Sequence, residues 1–211
     1  MRKGLGMWVM SKMVMFIFLF LLVSILTGYY MIYKDKVIDD TGKKVTQSIA
    51  ETITDALSYE TTVRTIWLDS HIWIRDEAKP YTLALQVVSD NKNRILRLVI
   101  FLAWEDQENP ETFASASFVA APMKGLGISA TSTYSLSSIS LYNISFSGGE
   151  ASVEEIKGEP PRIVIRPSSP KGTRNDFIIV YKNRDKMCVG VKSNDVGLEE
   201  AKRALEEACN E

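Results

Sequence analysis

Histidine is nearly absent from this chain: His71 is the only one in 211 residues, and the cysteines number two, Cys188 and Cys209. A metal centre needs three or four His, Cys or carboxylate ligands, and His71 has few partners to draw on, so no metal site is read. Motifs with a chemical mechanism are missing as well. There is no Walker loop, no complete G-x-G-x-x-G, no C-x-x-C, no H-E-x-x-H and no G-x-S-x-G, which removes the usual nucleotide, redox, zinc-protease and serine-hydrolase readings. Gly125-Leu126-Gly127 reads only as a flexible turn. No cofactor is expected.

An excess of positive charge is lacking too. Of 25 basic and 26 acidic residues, seven basic and three acidic ones fall in residues 1–44, which leaves the remainder weakly acidic, near −5. Such a surface lacks the basic footprint that neutralises phosphates, so nucleic acid is not an expected partner. The hydrophobic fraction of 45% and charged fraction of 24% suit one ordinary globular domain and exclude a largely disordered or polytopic chain.

What is present is one long apolar run. Residues 13–33 contain 21 residues without a charge, about 32 Å as a helix at 1.5 Å per residue, which matches a hydrocarbon core of about 30 Å. Trp8 stands near one end and Tyr29, Tyr30 and Tyr33 at the other, with Lys12, Lys34 and Lys36 outside them, the distribution expected of interfacial residues. A cleaved secretory signal is the main rival reading. The run is longer than an ordinary signal core, and Leu26-Thr27-Gly28-Tyr29-Tyr30 puts bulky rings where a cleavage site needs small residues. A retained single-pass anchor at the cell membrane is therefore expected, with the lipid bilayer as its first partner.

Basic residues flank both ends of the run almost equally, so charge alone does not orient it. The two cysteines, the sequon Asn143-Ile144-Ser145 and the many Ser and Thr residues favour a C-terminal domain outside the cytoplasm, with Asn143 as a candidate glycosylation site. Cys188 falls in an expected strand and Cys209 at the end of an expected helix. A helix folding back on that strand would bring them together, and closing about 22 residues would contribute roughly 3 kcal/mol. Two buried thiols are the alternative.

The expected division is a basic N-terminal segment at 1–12, a transmembrane anchor at 13–33, a polar connector at 34–44 with a turn at Asp39-Asp40-Thr41-Gly42, and a β-rich domain at 45–211. Val45, Ile49, Ile53 and Leu57 recur every four residues and predict an amphipathic helix from about Lys44 to Tyr59. Beyond it, β-branched and aromatic residues in short runs predict strands at 63–68, 72–75, 81–88, 95–104, 114–120, 131–147, 151–156, 162–166, 176–182 and 186–191. Asn194 or Asp195 can cap a C-terminal helix whose apolar positions are Leu198, Ala201, Leu205 and Ala208. The fold class is mainly β with flanking helices: a transmembrane helix, an amphipathic helix, an antiparallel sandwich or barrel-like domain, and a short C-terminal helix.

The most suggestive segment runs Thr65-Ile66-Trp67-Leu68-Asp69-Ser70-His71-Ile72-Trp73-Ile74-Arg75. As one continuous strand it would turn Ile66, Leu68, Ile72 and Ile74 inward and present Trp67, Asp69, His71, Trp73 and Arg75 together. Two indoles around an Asp/His pair offer contact area with polar handles, enough for a glycan, a solute or a partner chain. Packed tryptophans with a turn at Asp69-Ser70 are the plainer reading. No nucleophile signature accompanies Asp69 and His71, so no catalytic residue is assigned and the chain is not read as an enzyme. Glu105, Asp106 and Glu108, before Asn109-Pro110, read as a solvated acidic loop.

Arg2-Lys3-Gly4-Leu5-Gly6 followed by the apolar stretch resembles the N-terminus of archaeal type IV pilin-like proteins. The resemblance covers about 35 residues. It implies a β-rich head and cleavage by a dedicated peptidase after a glycine, here Gly4 or Gly6. Many pilins carry a glutamate five residues after the cut, whereas Val9 or Ser11 stands there in this chain, and Lys12 interrupts the start of the run. An accessory or non-polymerising relative fits better than a major pilin. The expected function is thus a membrane-anchored structural or interaction protein, a minor pilin-like or surface-assembly component with a protein partner or self-assembly. The alternative is a glycan- or solute-binding module that uses the Trp-rich strand face.

Overall fold

In the computed structural model the apolar run does not stop at the membrane-length segment: one helix, α1, extends from Lys3 to Leu57. The structure describes residues 3–74, 76–105, 115–124, 135–147, 150–167, 177–192 and 197–211. Residues fall into two compact units, Met1–Asp40 and Thr41–Glu211. The connector expected at 34–44, with its turn at Asp39-Asp40-Thr41-Gly42, is helical instead. Two features of the sequence explain the difference. Asp39/Lys43 and Asp40/Lys44 have the i,i+4 spacing, acid before base, that supports a helix. Gly42, moreover, is required for closeness rather than for a turn: a Cβ there would lie 2.5 Å from Ser115 Oγ and 3.1 Å from Ser115 Cβ.

In the first unit the large apolar side chains from Trp8 to Tyr33 are exposed, Phe20 by 73% and Ile32 by 72%. The serine and threonine of the run bond back within the helix, Ser24 Oγ donating to Phe20 O and Thr27 Oγ1 to Val23 O, each at 2.8 Å. Such back-bonding satisfies these two donors where no water is at hand. Among the described residues one helix is long and apolar enough to cross a membrane.

In the second unit the remainder of α1 is amphipathic. Thr46, Ile49, Ala50, Ile53, Ala56 and Leu57 are buried while Gln47, Glu51, Thr54 and Asp55 are exposed, a stripe at the helical period. Val45, expected on this stripe, is only half-buried. Among the described residues eleven strands follow: β1 Thr61–Trp67, β2 Ile72–Ile74, β3 Glu77–Lys79, β4 Tyr81–Asp90, β5 Ile95–Trp104, β6 Ser115–Pro122, β7 Ser138–Ser147, β8 Glu150–Glu155, β9 Arg162–Ile165, β10 Phe177–Asn183 and β11 Lys186–Lys192. The last element is α2, Leu198–Asn210.

Most expected strands have counterparts, with ends shifted by a residue or two. The run expected at 131–147 is strand only from Ser138, its residues 131–134 lying outside those described. β3 was not expected: Glu77-Ala78-Lys79 has little intrinsic strand preference and is held by antiparallel pairing to β2. Asn194 and Asp195 lie outside the described residues. Gly197 occupies the N-cap of α2, with no side-chain cap hydrogen bond.

The strands form a five-stranded sheet in the order β1-β10-β11-β7-β8, a four-stranded sheet β6-β5-β4-β9, and the β2-β3 ribbon. Pairing is antiparallel except between β11 and β7. Hydrophobic alternation explains the layers. In β4 and β5, Leu83, Leu85 and Val87 stand opposite Leu102, Ile100 and Leu98, all buried on one face. β10 and β11 are buried on both faces. One face, carrying Phe177, Ile179, Tyr181, Cys188 and Ile144, is covered by Ala201, Leu205 and Cys209 of α2. On the other side β7 approaches β4, β5 and β9 of the second sheet. Each fully buried Leu, Ile or Phe contributes about 1.5–3 kcal/mol, so this double burial is the main source of stability.

Candidate functional site

The strand expected to run through the Trp-rich segment is interrupted. β1 ends at Trp67, Leu68 to His71 form a connection, and β2 begins at Ile72. The expected division by exposure is largely present: Leu68, Ile72 and Ile74 are buried and Ile66 half-buried, while Trp67, Asp69, His71 and Trp73 are exposed. Arg75 lies outside the described residues. Register shows how Trp67 is held. It stands opposite Phe177 on the α2 side of the sheet, and the two rings meet edge to face with centroids 5.2 Å apart. Lys192 Nζ lies 4.7 Å from the centroid of the same Phe177 ring, so Phe177 is contacted by an indole and an ammonium together. Trp73 stands opposite Ala78 in the ribbon.

The polar members do not form a catalytic arrangement. His71 Nδ1 is 3.1 Å from the hydroxyl of its chain neighbour Ser70, on exposed backbone. Asp69 contributes its carbonyl oxygen, which accepts a 2.7 Å hydrogen bond from Tyr81 Oη. Burial, and then the charge of Asp69, hold the Tyr81 phenol well above its ordinary pKa, which suits a structural donor rather than a proton-transfer group. Two open clefts lie elsewhere. One of about 340 Å³ is lined by Gln47, Glu51, Thr54, Ser117 and Phe118, between α1 and β6. The other, about 220 Å³, is lined by Asn183, Asp185, Lys186, Cys209 and Asn210. Neither encloses a perturbed acid–base pair.

Cys188 and Cys209 are joined in a disulfide, Cα to Cα 6.1 Å, which ties the C-terminal end of α2 to β11. Gly190, two residues along β11, allows that approach: a Cβ there would lie 2.7 Å from Ile144 Cδ1 and 3.0 Å from Leu205 Cδ2. Asn143 sits within β7, opposite Val191 on one side and Glu154 on the other, half-buried on the face away from α2. That is a confined place for a glycan. Gly4 and Gly6 lie in α1. Glu105 is exposed, and residues 106 and 108 are outside the described residues.

Sequence reasoning did not single out Lys182. It stands at the C-terminal end of the strand expected at 176–182, yet it is only 2% exposed. Its Nζ donates a hydrogen bond to Tyr59 O, just beyond the end of α1. Burial lowers its pKa from the ordinary lysine value, while the charge of Glu60 acts in the opposite direction.

Compared with known proteins, the chain matches no family model, no curated protein and no solved structure.

Proposed function

We propose that the chain is a single-pass membrane-anchored protein whose β-rich domain works outside the cytoplasm as a structural or interaction module, a minor pilin-like or surface-assembly component. The observation that carries this reading is the exposed apolar surface of α1 between Met13 and Tyr33. An uncharged surface of that length is unstable in water and needs lipid or other apolar helices around it. The Cys188–Cys209 disulfide supports an oxidising compartment for the domain. The exposed Asp69 and His71 and the open clefts favour binding over catalysis.

Intact mass of the non-reduced protein extracted from membranes tests the reading. A mass that retains residues 13–33 is expected, with one disulfide. Loss of residues 1–4 or 1–6 supports pilin-like processing, and loss of the whole apolar run removes the anchor.

A second reading is favoured by the exposure of Trp67 and Trp73, 66% and 67%, which leaves two indoles free to stack on a sugar or solute. Ligand binding that survives both Trp67→Ala and Trp73→Ala would eliminate it.

A further inference from the structure

The two larger sheets have four edge strands, and three of them carry features that oppose further pairing. β6 is met by α1, where Thr46 Oγ1 lies 2.9 Å from Ser117 Oγ. β8 carries Glu150, Glu154 and Glu155 in six residues. β9 is four residues long and stands between Pro161 and Pro167. Helix cover, charge, shortness and proline are the usual devices that keep an edge from pairing with another chain. β1 has neither the shortness nor the proline, and it carries a single charge. Its seven residues, Thr-Thr-Val-Arg-Thr-Ile-Trp, are mostly β-branched or aromatic, and among the described residues it pairs on one side only, with β10. No residue of β1 is buried, and its one charge, Arg64, is engaged by Asp55 at 3.1 Å.

The pattern of β1 is also complementary to itself. Val63, Thr65 and Trp67 share the α2 side of the sheet, as their partners Tyr181, Ile179 and Phe177 show. An antiparallel pairing centred on Arg64 would set two arginines opposite each other, which is unfavourable. Centring on Thr65 instead sets Thr65 opposite Thr65, Trp67 opposite Val63, and Arg64 opposite Ile66 of the second copy. Threonine pairs and aromatic–β-branched pairs are among the favourable cross-strand combinations. Val63 and Trp67, 38% and 66% exposed, are the two large apolar side chains that this register covers.

We propose that β1 is a docking edge for a second copy of this chain, joining two five-stranded sheets across a two-fold axis at Thr65. The partner so named rests on the interaction-module reading above. The contact is isologous, so it closes at a dimer and does not by itself propagate a filament. Main-chain hydrogen bonds supply the attraction, and the Trp67–Val63 pairs set the register.

The test uses the full-length protein in lipid nanodiscs or mild detergent. Directly opposite residues lie about 4.5–5.5 Å apart between Cα atoms, within reach of a disulfide. Mild oxidation of Thr65→Cys is expected to give a covalent dimer, and of Thr62→Cys none. Val63→Lys is expected to convert the wild-type dimer, measured by sedimentation, to monomer. Adding Trp67→Glu to that variant restores the dimer by opposing the new charges. A monomeric wild type overturns the proposal, and so does a dimer that Val63→Lys leaves intact or that crosslinks equally at both positions. A monomer still retained in carbonate-washed membranes would leave the anchor reading standing, so the two failures are distinguishable.

Discussion

Lys182 of β10 donates a hydrogen bond from Nζ to the carbonyl oxygen of Tyr59, two residues beyond the end of α1. The bond ties β10 to the turn that joins α1 to β1. Because the amine is buried, the fold holds its proton less tightly than the unfolded chain does.

The sign of the consequence follows. In the window just below the ordinary lysine value of 10.5, the unfolded chain binds more protons at this site than the fold, so the site's contribution to stability rises with pH. Denaturant midpoints of the wild type and Lys182→Met between pH 8 and 10 check this. The variant is expected to lose part of the upward slope.

Gly190 is predicted to be intolerant of enlargement. An added Cβ meets Ile144 and Leu205 at 2.7 and 3.0 Å, both far ends of side chains, so some relaxation is available. Gly190→Ala is expected to cost about 1 kcal/mol and Gly190→Val about 2–3 kcal/mol, in the range for overpacked cores. Chemical denaturation of the domain measures both.

Removing the disulfide by Cys188→Ala with Cys209→Ala is expected to cost roughly 3 kcal/mol, since the bond closes a loop over a sequence separation of 21. Hydrogen exchange should show the loss first in α2, because the bond ties that helix to β11.

The tryptophans should separate by environment. Trp104 is 8% exposed, and Trp104→Ala is expected to cost about 3–5 kcal/mol. Trp67→Ala loses one edge-to-face contact with Phe177, worth about 0.5–1.5 kcal/mol. Trp73→Ala should cost less than 1 kcal/mol. Thermal or denaturant unfolding of the three variants ranks them.

Local patterns were legible where a residue's role depends on its neighbours in the chain. The uncharged run at 13–33, the alternation Ile95–Trp104, and the spacing of Ala201 and Leu205 each declare an apolar face, because helix and strand periods convert sequence spacing directly into geometry. The cysteine pair was open between a disulfide and two thiols until α2 was placed on β11. Other residues misled because their reason lies across the fold. Gly42 read as a turn residue but is small to admit Ser115, and Glu77-Ala78-Lys79 is a strand only because β2 pairs with it. Lys182, the last residue of an expected strand, is buried against the turn after α1.

By itself the sequence determined the helical anchor-length run, the strand-rich body and the apolar faces, since these follow from hydrophobicity and period alone. Only the tertiary structure decided that α1 runs unbroken to Leu57, that β11 and β7 pair in parallel, and that β1 lies at the edge of its sheet. Those features depend on which distant segments meet. Contacts of that kind are selected by the joint burial of whole faces and leave no local period to read.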